Sequence, residues 1–458
     1  MFTMSELTCF KTYDIRGELG IDIDVNIAYR IGRAVAQHFN AKSIVIGMDA
    51  RQTSPEFADA VSNGIMDAGA HVLDIGMSGT EEMYWAVTEF KTDAGIIVTA
   101  SHNPINYNGM KIVKSGSRPL DDEIDFKVIK KLAEDEAWNK NDHKGTRSDI
   151  AANARLKYVK KVVSFIETPN LKPLKVIVNC GNGAAGPTFD AIAKSLLKER
   201  APVEFIRVHH EPDYTFPNGI PNPLLVENRP ATANAVISEG ADLGVAFDGD
   251  FDRCFFFDET GTFIGGEYVL SLLATSFLDK NPGSNIIHDP RVIWNVQDIV
   301  TSKGGKAIQS KTGHAFIKQA MRQTEAIYGG EMSAHHYFKD FAYCDSGMVP
   351  WLLIIELLST TGLSLSGLVK SQFEAFPSSG ENNFTVEDAD ATIETVLQKY
   401  KPDALSIDDT DGVSLTFDNW RFNLRKSNNE PLVRLNIEVR GNVVDINQKL
   451  EDIKRLII

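Results

Sequence analysis

A short apolar segment that runs directly into a dense polar loop most constrains the fold of this 458-residue chain. Residues 95–98 read GIIV and are followed at once by TASHNP at 99–104. A strand that is apolar on both faces is typical of the interior of a parallel sheet covered by helices. Because open α/β sheets bind ligands beyond the carboxyl ends of their strands, Ser101 stands where a nucleophile is expected. Taken alone, the S-H-N-P sequence also fits an ordinary turn.

The same arrangement occurs twice more along the chain. The apolar segment 243–247 runs into DGDFDR at 248–253, and the segment 326–329 runs into GEMSAHH at 330–336. In all three cases an acidic residue precedes a short apolar strand, and the strand ends in a polar loop. We infer three related α/β units that each present one loop to a shared cleft.

The last part of the chain has a different pattern. Apolar residues alternate within 413–417, 422–424 and 432–439, which predicts an antiparallel sheet closed by a final helix. Residues 377–380, Pro-Ser-Ser-Gly, indicate a linker ahead of it. We therefore expect an α/β protein with domains at 1–150, 151–258, 259–370 and 371–458. Near the start of the first domain, Ser54 and Pro55 predict a helix with Ser54 as its N-cap.

Composition limits the possible partners and the compartment. A formal net charge of -15 and a pI of about 5.2 argue against a nucleic-acid partner or an anionic membrane. The four cysteines form no C-x-x-C pair, which argues against disulfides or a zinc site and for a reducing compartment. The N-terminus lacks a signal-peptide pattern, and the apolar stretch at 351–355 is too short to span a membrane. We expect a soluble cytoplasmic protein.

The acidic loop indicates a metal site. Asp248, Asp250 and Asp252 alternate, so in an extended loop their carboxylates can converge on one hard cation. Magnesium suits a site with few protein oxygens, and the adjacent Arg253 implies an anion beside the metal. An EF-hand is excluded because an arginine replaces the required glycine at loop position six. The alternative is a solvated acidic loop without a ligand.

Two further loops admit two interpretations each. Residues 425–431, RKSNNEP, combine an arginine, a hydroxyl and amides in one turn, which suits an oxyanion clamp but also an ordinary charged hairpin. Residues 181–186, GNGAAG, match the dinucleotide fingerprint and allow a nicotinamide oxidoreductase. Against that function, the fingerprint requires an acidic residue for the ribose, whereas the next strand ends in His209 and His210 before any acid. The glycines also fit a tight strand-to-helix turn.

Four of these motifs together resemble those of the α-D-phosphohexomutases. TASHNP, DGDFDR, GEMSAHH and RKSNNEP occur in the family's order, and the resemblance covers the whole chain. It is closest to the bacterial phosphomannomutases that supply GDP-mannose for surface polysaccharide. The family's fold implies three topologically related α/β domains with mixed, mostly parallel sheets around a central cleft. A smaller C-terminal α+β domain with an antiparallel sheet would follow them.

The resemblance also implies roles for matching residues. Ser101 would carry the phosphoryl group, and Asp248, Asp250 and Asp252 would hold Mg²⁺ with an oxygen on Ser101. The other groups expected around the transferring phosphoryl are Tyr13, Arg16, His102, Lys111 and Arg253. The remaining substrate contacts implied are Arg291, Lys311, His314, Glu331, Ser333, His335, Arg425, Ser427, Asn428, Asn429 and Arg434. Asn429 replaces a threonine usual in the clamp, and Arg291 replaces a lysine found in some members.

The implied reaction interconverts mannose 6-phosphate and mannose 1-phosphate. Phosphoserine would phosphorylate the free hydroxyl, giving a hexose 1,6-bisphosphate that reorients and returns its other phosphate; the bisphosphate would also serve as activator. Either His102 or Lys111 could be the general base. A phosphoglucomutase or a dual-specificity enzyme is the alternative, since the two sugars differ only at C2. The substrate would be a small phosphosugar, and the protein a monomer or a homodimer.

Overall fold

A computed structural model describes residues 6–11, 14–427, 431–441 and 443–458, with the backbone alone at 443–445. The chain forms two compact units. Unit 1 extends to Phe263 and includes Asp340–Gly362, whereas unit 2 comprises Ile264–Lys339 and Leu363–Ile458. Sheets with helices packed against them make up most of both units.

Unit 1 begins with a mixed sheet. Its strands are β1 (Ile15–Glu18), β2 (Ser43–Met48), β3 (His71–Met77), β4 (Ala94–Val98), β5 (Tyr107–Lys114), β6 (Arg118–Pro119) and β7 (Arg147–Asp149). Its helices are α1 (Val25–His38), α2 (Ser54–Asp67), α3 (Thr80–Glu89) and α4 (Lys127–Asp135), with a 3₁₀ turn at Ser115–Ser117 and a π turn at Asp122–Phe126. The main strand order is β1-β5-β4-β2-β3-β7. Every residue of β4 is buried, as its continuous apolar sequence predicts.

A second mixed sheet follows in unit 1. Its elements are α5 (Ala151–Val163), β8 (Leu174–Asn179), α6 (Ala185–Lys198), β9 (Val203–Val208), α7 (Pro230–Glu239), β10 (Leu243–Phe247), β11 (Cys254–Phe257) and β12 (Phe263–Ile264). Short 3₁₀ turns lie at Thr168–Asn170 and Val226–Asn228. Strand β10 is parallel to β8 and antiparallel to β11, and β8 is parallel to β9.

Unit 2 begins with a third mixed sheet. Its elements are α8 (Gly266–Lys280), β13 (Asn285–His288), α9 (Trp294–Ser302), β14 (Lys306–Gln309), α10 (His314–Thr324), β15 (Tyr328–Gly330) and β16 (His336–Phe338). Strand β13 lies between β14 and β15 and is parallel to both, whereas β16 is antiparallel to β15.

The three mixed sheets share one strand order. In each, a central strand has two parallel neighbours, and the second neighbour pairs with an antiparallel strand: β3-β2-β4-β5, β9-β8-β10-β11 and β14-β13-β15-β16. The three polar loops all connect the last two strands of this order. The structure therefore confirms the predicted α/β class and the relationship between the three sheets.

The chain contributes one more helix to unit 1. After a 3₁₀ turn at Lys339–Phe341 come β17 (Cys344–Asp345) and α11 (Met348–Thr361), which is buried along most of its length. A helix that is apolar on all sides belongs inside a protein core. No single helix in the described part of the chain is long and apolar enough to cross a membrane, although α11 and the next helix together pass that length and composition test.

The C-terminal part of unit 2 is an antiparallel sheet with helices. It contains α12 (Leu365–Ala375), β18 (Ser378–Thr385), α13 (Ala389–Tyr400), β19 (Ser406–Asp408), β20 (Val413–Thr416), β21 (Trp420–Lys426), β22 (Leu432–Val439) and α14 (Val443–Ile457), with a 3₁₀ turn at Lys401–Asp403. The strand order is β18-β22-β21-β20-β19. Its core joins the inward faces of β20, β21 and β22 to α13 and α14.

Two local predictions were wrong. The predicted linker at 377–380 lies mostly within β18, because that strand pairs with β22 along its length. The N-cap position of α2 is Thr53 rather than Ser54. The Ser54 hydroxyl instead donates a buried hydrogen bond of 2.6 Å to Asp49 Oδ1.

Candidate active site

Ser101 lies immediately beyond β4 and has an unusual backbone conformation. Its φ is +47°, in the left-handed region that non-glycine residues rarely adopt. The Ser101 N–H donates to Thr99 Oγ1 at 2.8 Å, and the side chain is buried. Strain of this kind, of order 1–3 kcal/mol, persists only where the surroundings enforce it, and it is concentrated at functional sites.

The Ser101 hydroxyl contacts two candidate catalytic groups. Its Oγ lies 2.9 Å from His102 Nδ1 and donates to Asp248 Oδ2 at 3.2 Å. The Arg253 guanidinium donates to both of these partners, at 2.6 Å to His102 Nδ1 and 2.9 Å to Asp248 Oδ2. His102 Nδ1 therefore acts as an acceptor, which requires a neutral ring.

Charge and burial favour that neutral ring. Enclosure of the imidazole, and after it the charges of Arg253 and Arg16, hold the pKa of His102 well below its usual range, although 42 % of the side chain is exposed. Arg16, on β1, also donates to Asn103 Oδ1 at 3.4 Å. The structure thus brings Ser101, His102 and Arg253 together, with Arg16 on the neighbouring Asn103.

The three aspartates of the acidic loop converge. Carboxylate oxygens of Asp248, Asp250 and Asp252 all lie within 4.8 Å of one another, and all three residues are buried. From β5, Lys111 Nζ donates to Asp250 Oδ2 at 2.8 Å and to Asp252 Oδ2 at 2.5 Å. Thr80, at the start of α3, donates to Asp250 Oδ2 at 2.6 Å.

The three carboxylates face the positive charges of Lys111, Arg16 and Arg253. Burial opposes the ionisation of Asp250, but the charges of Lys111 and then Arg16 outweigh it and lower the pKa of Asp250. Burial raises the pKa of Asp248, although the charge of Arg253 opposes this shift. The two aspartate charges raise the pKa of Lys111 against the effect of burial. Asp250 Oδ1 is buried without a hydrogen-bond partner among the described residues. An unsatisfied carboxylate oxygen in a group of three fits a hard divalent cation.

Sequence reasoning missed Arg51, which lies 3 % exposed beneath the Ser101 loop. Its guanidinium donates to four main-chain carbonyls of the loop, those of Ser101, Asn103, Pro104 and Tyr107. A recurring motif could have identified it. The motif Asp-x-Arg occurs as Asp49-Ala-Arg51 after β2 and as Asp289-Pro-Arg291 after β13. In both, the aspartate Oδ1 accepts a hydrogen bond of 3.0 Å from the main-chain N–H of the arginine.

In unit 2, the predicted sugar-binding residues form a network after β13 and β15. Arg291 donates to Asp289 Oδ2 at 2.5 Å and to Ser333 Oγ at 3.3 Å, and lies 3.7 Å from Glu331 Oε1. Glu331 accepts from Tyr337 Oη at 2.5 Å and lies 3.5 Å from His335 Nδ1. Burial raises the pKa of Glu331, mainly opposed by Arg291.

Lys311 and His314 lie on the turn that meets this network. Gly313, between them, donates its N–H to Glu331 Oε1 at 2.9 Å and has a φ of +119°, which glycine tolerates. Through Gly313, the segment that carries both residues contacts Glu331.

The predicted phosphate clamp contains a carboxylate that the sequence did not reveal. Glu381 Oε2 accepts from Arg425 at 2.8 Å and lies 3.6 Å from Arg291, while Glu381 Oε1 accepts from Arg434 at 2.9 Å. Ser427 Oγ accepts from Arg434 at 3.4 Å. Asn428 and Asn429 lie outside the described residues, as does Tyr13 in unit 1.

A β-bulge aims Glu381 at these arginines. The pairing of β18 with β22 shifts register between Ser378 and Glu381, and Gly380 within the shift has a φ of +66°. Bulges of this kind redirect a side chain beside functional sites. The local sequence, Ser-Ser-Gly-Glu, indicates a turn but not its direction.

Comparison with known proteins assigns the family. Models of phosphoglucomutase/phosphomannomutase domains I, II and III, each described as alpha/beta/alpha, match residues 8–138, 156–261 and 265–376. The C-terminal domain of the same family matches residues 381–455. A phosphomannomutase of Escherichia coli strain K12 is 54 % identical over 440 residues, covering 96 % of each chain. The chain belongs to the phosphoglucomutase/phosphomannomutase family.

Further relatives agree with this membership. A phosphomannomutase of Salmonella montevideo is 52 % identical over 454 residues, covering 99 % of this chain and 100 % of its own. The crystal structure of a phosphoglucomutase/phosphomannomutase family protein from Burkholderia thailandensis superposes with a TM-score of 0.86 at 30 % identity. That match covers 99 % of this chain and 97 % of the other. The predicted resemblance is confirmed.

Within this family fold, the glycine-rich turn at 181–186 packs against the protein itself. A Cβ on Gly181 would lie 2.3 Å from Pro221, one on Gly186 2.2 Å from the His210 carbonyl, and one on Gly183 2.9 Å from the Gly249 carbonyl. Close packing explains these glycines, since neighbouring chain segments lie directly against them. The turn thus packs against the acidic loop. Because packing accounts for these glycines, they no longer favour a nicotinamide-binding function.

Proposed function

We propose that the protein is a phosphomannomutase that interconverts mannose 6-phosphate and mannose 1-phosphate through a phosphoserine at position 101. The supporting observation is the contact of Ser101 Oγ with Asp248 Oδ2, within reach of His102 and Arg253. The close relatives named phosphomannomutase favour mannose. A dual preference for mannose and glucose is the second candidate, because the family includes phosphoglucomutases.

Unit 1 supplies the phosphoryl-transfer chemistry in this proposal. Phosphoserine passes its phosphoryl group to a sugar hydroxyl, and the proton of that hydroxyl replaces the phosphoryl group on Ser101 Oγ. In the reverse step, that proton leaves Oγ for the neutral His102 Nδ1, which lies 2.9 Å away, and passes back to the sugar oxygen. Lys111 remains protonated between two carboxylates, so it serves as a fixed positive charge rather than as a base. Arg16 and Arg253 supply the other positive charges that favour the transferring group.

Asp248, Asp250, Asp252 and an oxygen on Ser101 would hold Mg²⁺. The bound ion would offset negative charge on the transferring phosphoryl group. The three buried carboxylates support this assignment, as does Asp250 Oδ1, which has no hydrogen-bond partner in the part of the chain that the structure describes.

Unit 2 supplies recognition of the hexose phosphate. Glu331 and Ser333 bind sugar hydroxyls, with His335, Lys311 and His314 beside them. The phosphate that does not react is bound by Arg425, Ser427 and Arg434, with Arg291, Asn428 and Asn429 contributing; Tyr13 belongs to the phosphoryl site. The convergence of Arg291, Arg425 and Arg434 on the Glu381 carboxylate supports this assignment, because it gathers three guanidinium groups around one anionic group.

The cycle also requires a bisphosphate and a cellular setting. Hexose 1,6-bisphosphate forms after the first transfer, reorients and returns its other phosphate to Ser101; added bisphosphate restores phosphoserine that has hydrolysed. We place the enzyme in the cytoplasm, supplying mannose 1-phosphate for GDP-mannose. The four predicted domains, at 1–150, 151–258, 259–370 and 371–458, each contribute one of the four loops.

One coupled assay tests the assignment. Mannose 1-phosphate and glucose 1-phosphate are supplied separately with Mg²⁺ and a trace of glucose 1,6-bisphosphate, and intact mass is measured in parallel. We expect turnover of the mannose ester, a phosphate-sized adduct at Ser101, and no turnover by Ser101→Ala or after chelation of Mg²⁺. A fully active Ser101→Ala enzyme would refute the phosphoserine, and turnover of glucose 1-phosphate alone would refute the substrate.

A further inference from the structure

The loop that carries Ser101 has a conformation that its own sequence does not favour. Ser101 is in the left-handed region, and four main-chain carbonyls of the loop point towards one buried side chain, with the bond to the Ser101 carbonyl itself buried. Buried carbonyls require donors, because an unpaired buried polar group costs as much as a lost hydrogen bond. One side chain supplies these donors.

The guanidinium of Arg51 is the common partner of the loop. One terminal nitrogen donates to the carbonyls of Ser101 at 2.9 Å and Asn103 at 2.6 Å, and the other to those of Pro104 at 2.8 Å and Tyr107 at 3.1 Å. The planar fork of an arginine can span four separate acceptors, whereas a lysine presents its three donors from a single point.

Arg51 is itself firmly positioned. Its main-chain N–H donates to Asp49 Oδ1 at 3.0 Å, and Asp49 Oδ2 lies 3.6 Å from its Nε. The ring of Phe216, from the second α/β segment of unit 1, lies 5.8 Å from the guanidinium carbon, within cation–π range. The guanidinium is therefore enclosed by protein on several sides and has no contact with the Ser101 hydroxyl among its described hydrogen bonds.

We propose that Arg51 is a positioning residue for phosphoryl transfer, which holds the main chain of the Ser101 loop so that Oγ faces His102 and Asp248. This inference rests on the proposed function of Ser101. Arg51 acts through the backbone, so its loss misplaces the nucleophile without removing any group that binds the hexose. Misplacement of a reacting atom by about 1 Å can cost on the order of a hundredfold in rate.

Arg51→Lys tests the proposal, and Arg229→Lys is the matched control. Arg229 also donates to two loop carbonyls, those of Pro223 and Leu224, and its guanidinium also stacks on an aromatic ring, that of Phe263. We expect Arg51→Lys to lower kcat on the order of a hundredfold with KM for mannose 1-phosphate unchanged within about threefold. Arg229→Lys should keep the wild-type kcat.

A second readout separates positioning from general destabilisation. Dephosphorylated enzyme is mixed with glucose 1,6-bisphosphate, and phosphorylation at Ser101 is followed by intact mass. In Arg51→Lys this rate should fall by the same factor as kcat, at a temperature where thermal unfolding shows the variant fully folded. A wild-type phosphorylation rate, or a loss of kcat that only follows the folded fraction, would overturn the proposal.

Two further outcomes are distinguishable. If Arg51→Lys does not fold, Phe216→Leu replaces it as the test, because this variant keeps the four carbonyl bonds and removes only the aromatic face against Arg51. We expect a several-fold loss of kcat at unchanged KM. A wild-type kcat in Phe216→Leu would overturn the proposal. If wild-type protein acquires no phosphate at Ser101, the proposed function fails first. A phosphorylated and active wild type beside an unaffected Arg51→Lys refutes only the role of Arg51.

Discussion

At the scale of single residues, Glu381 is the most informative side chain of unit 2. Burial opposes its ionisation, but the charges of Arg291, Arg425 and Arg434 lower the pKa of Glu381 below its usual range. Three guanidinium groups this close would repel one another without a counter-charge. An ionised Glu381 therefore fixes the orientation of Arg425 and Arg434, the residues that we propose bind the substrate phosphate.

Glu381→Gln should weaken substrate binding. The amide keeps the size of the side chain but removes the charge, and charge-assisted hydrogen bonds contribute roughly 1.5–3 kcal/mol each. We expect KM for mannose 1-phosphate to rise on the order of tenfold with kcat nearly unchanged, as measured by steady-state kinetics. Asp390→Asn, which removes an exposed partner of Lys426 in the same domain, is the control. A KM equal to or below the wild-type value would contradict this role.

At the scale of elements, the candidate site residues lie on the corresponding loop of three related sheets. Ser101, Asp248 and Glu331 each lie after the parallel strand that precedes an antiparallel one. An aspartate or asparagine at the carboxyl end of the central strand also recurs: Asp49, Asn179 and Asp289 each accept the main-chain N–H of the residue two positions later. The repetition explains why the polar loops follow short apolar strands in the sequence.

Gly249 brings two of these loops into contact. A Cβ at this position would lie 2.4 Å from the carbonyl oxygen of Ser101, so a side chain there would push two main chains apart. We expect Gly249→Ala to reduce kcat on the order of a hundredfold while the protein remains folded. Kinetics combined with circular dichroism tests this; Gly367→Ala, a site with no contact below 3.3 Å, is the control. Wild-type kcat in Gly249→Ala would show that the close approach is not required.

Glu81, in the first turn of α3, joins three elements of unit 1. It accepts from Tyr158 on α5, from the Gly347 N–H, and from the Met348 N–H at the start of α11 at 3.2 Å. Burial outweighs these bonds and raises the pKa of Glu81 to about 8.

This pKa predicts a pH-dependent stability. Because the folded pKa exceeds the ordinary value of 4.5, the contribution of Glu81 is fully present below about pH 4.5 and is lost as pH rises through about 8. The Tm of Glu81→Gln should therefore rise relative to that of the wild type as pH rises. We expect the difference in Tm to change by about 5 °C or more between pH 5 and 8.5. Thermal unfolding at several pH values measures this difference. A difference that stays constant with pH would mean that Glu81 titrates normally.

At the scale of the whole molecule, charge is balanced locally rather than globally. The chain carries 62 acidic and 47 basic residues, yet arginines and lysines concentrate in both candidate clusters. Arg16, Lys111 and Arg253 surround Ser101, while Arg291, Arg425 and Arg434 surround Glu381. An anionic substrate can therefore be bound by an acidic protein.

The cysteines should be unreactive in the folded protein. All four are thiols outside any disulfide and are at most 1 % exposed, and burial raises the pKa of Cys9 to about 12 and also raises those of Cys180 and Cys254. Since the thiolate is the reactive form, we expect no reaction with a disulfide reagent at pH 7.5 and four thiols per chain in denaturant. A reductant should leave Tm unchanged. Rapid labelling of the native protein would contradict the burial of these thiols.

The sequence by itself determined the features that depend on neighbouring residues. Short apolar strands, their polar loops, and the alternation in the C-terminal sheet are local patterns, so β4, β10, β15 and β22 lie where their sequences predict them. The order of the four motifs also identified the family, and the three aspartates converge as their spacing suggested. The roles assigned to individual site residues remain proposals.

Only the tertiary structure decided which distant groups meet. Arg51 and Ser101 are 50 residues apart, and Glu381 and Arg425 are 44 apart, so no local pattern links them. β18 forms across a Ser-Ser-Gly sequence typical of a linker because β22 satisfies its backbone groups, and Ser54 turns to Asp49 instead of capping α2. Hydrogen-bond partners and buried counter-charges are chosen by proximity in three dimensions, and that proximity exists only once the sheets have packed.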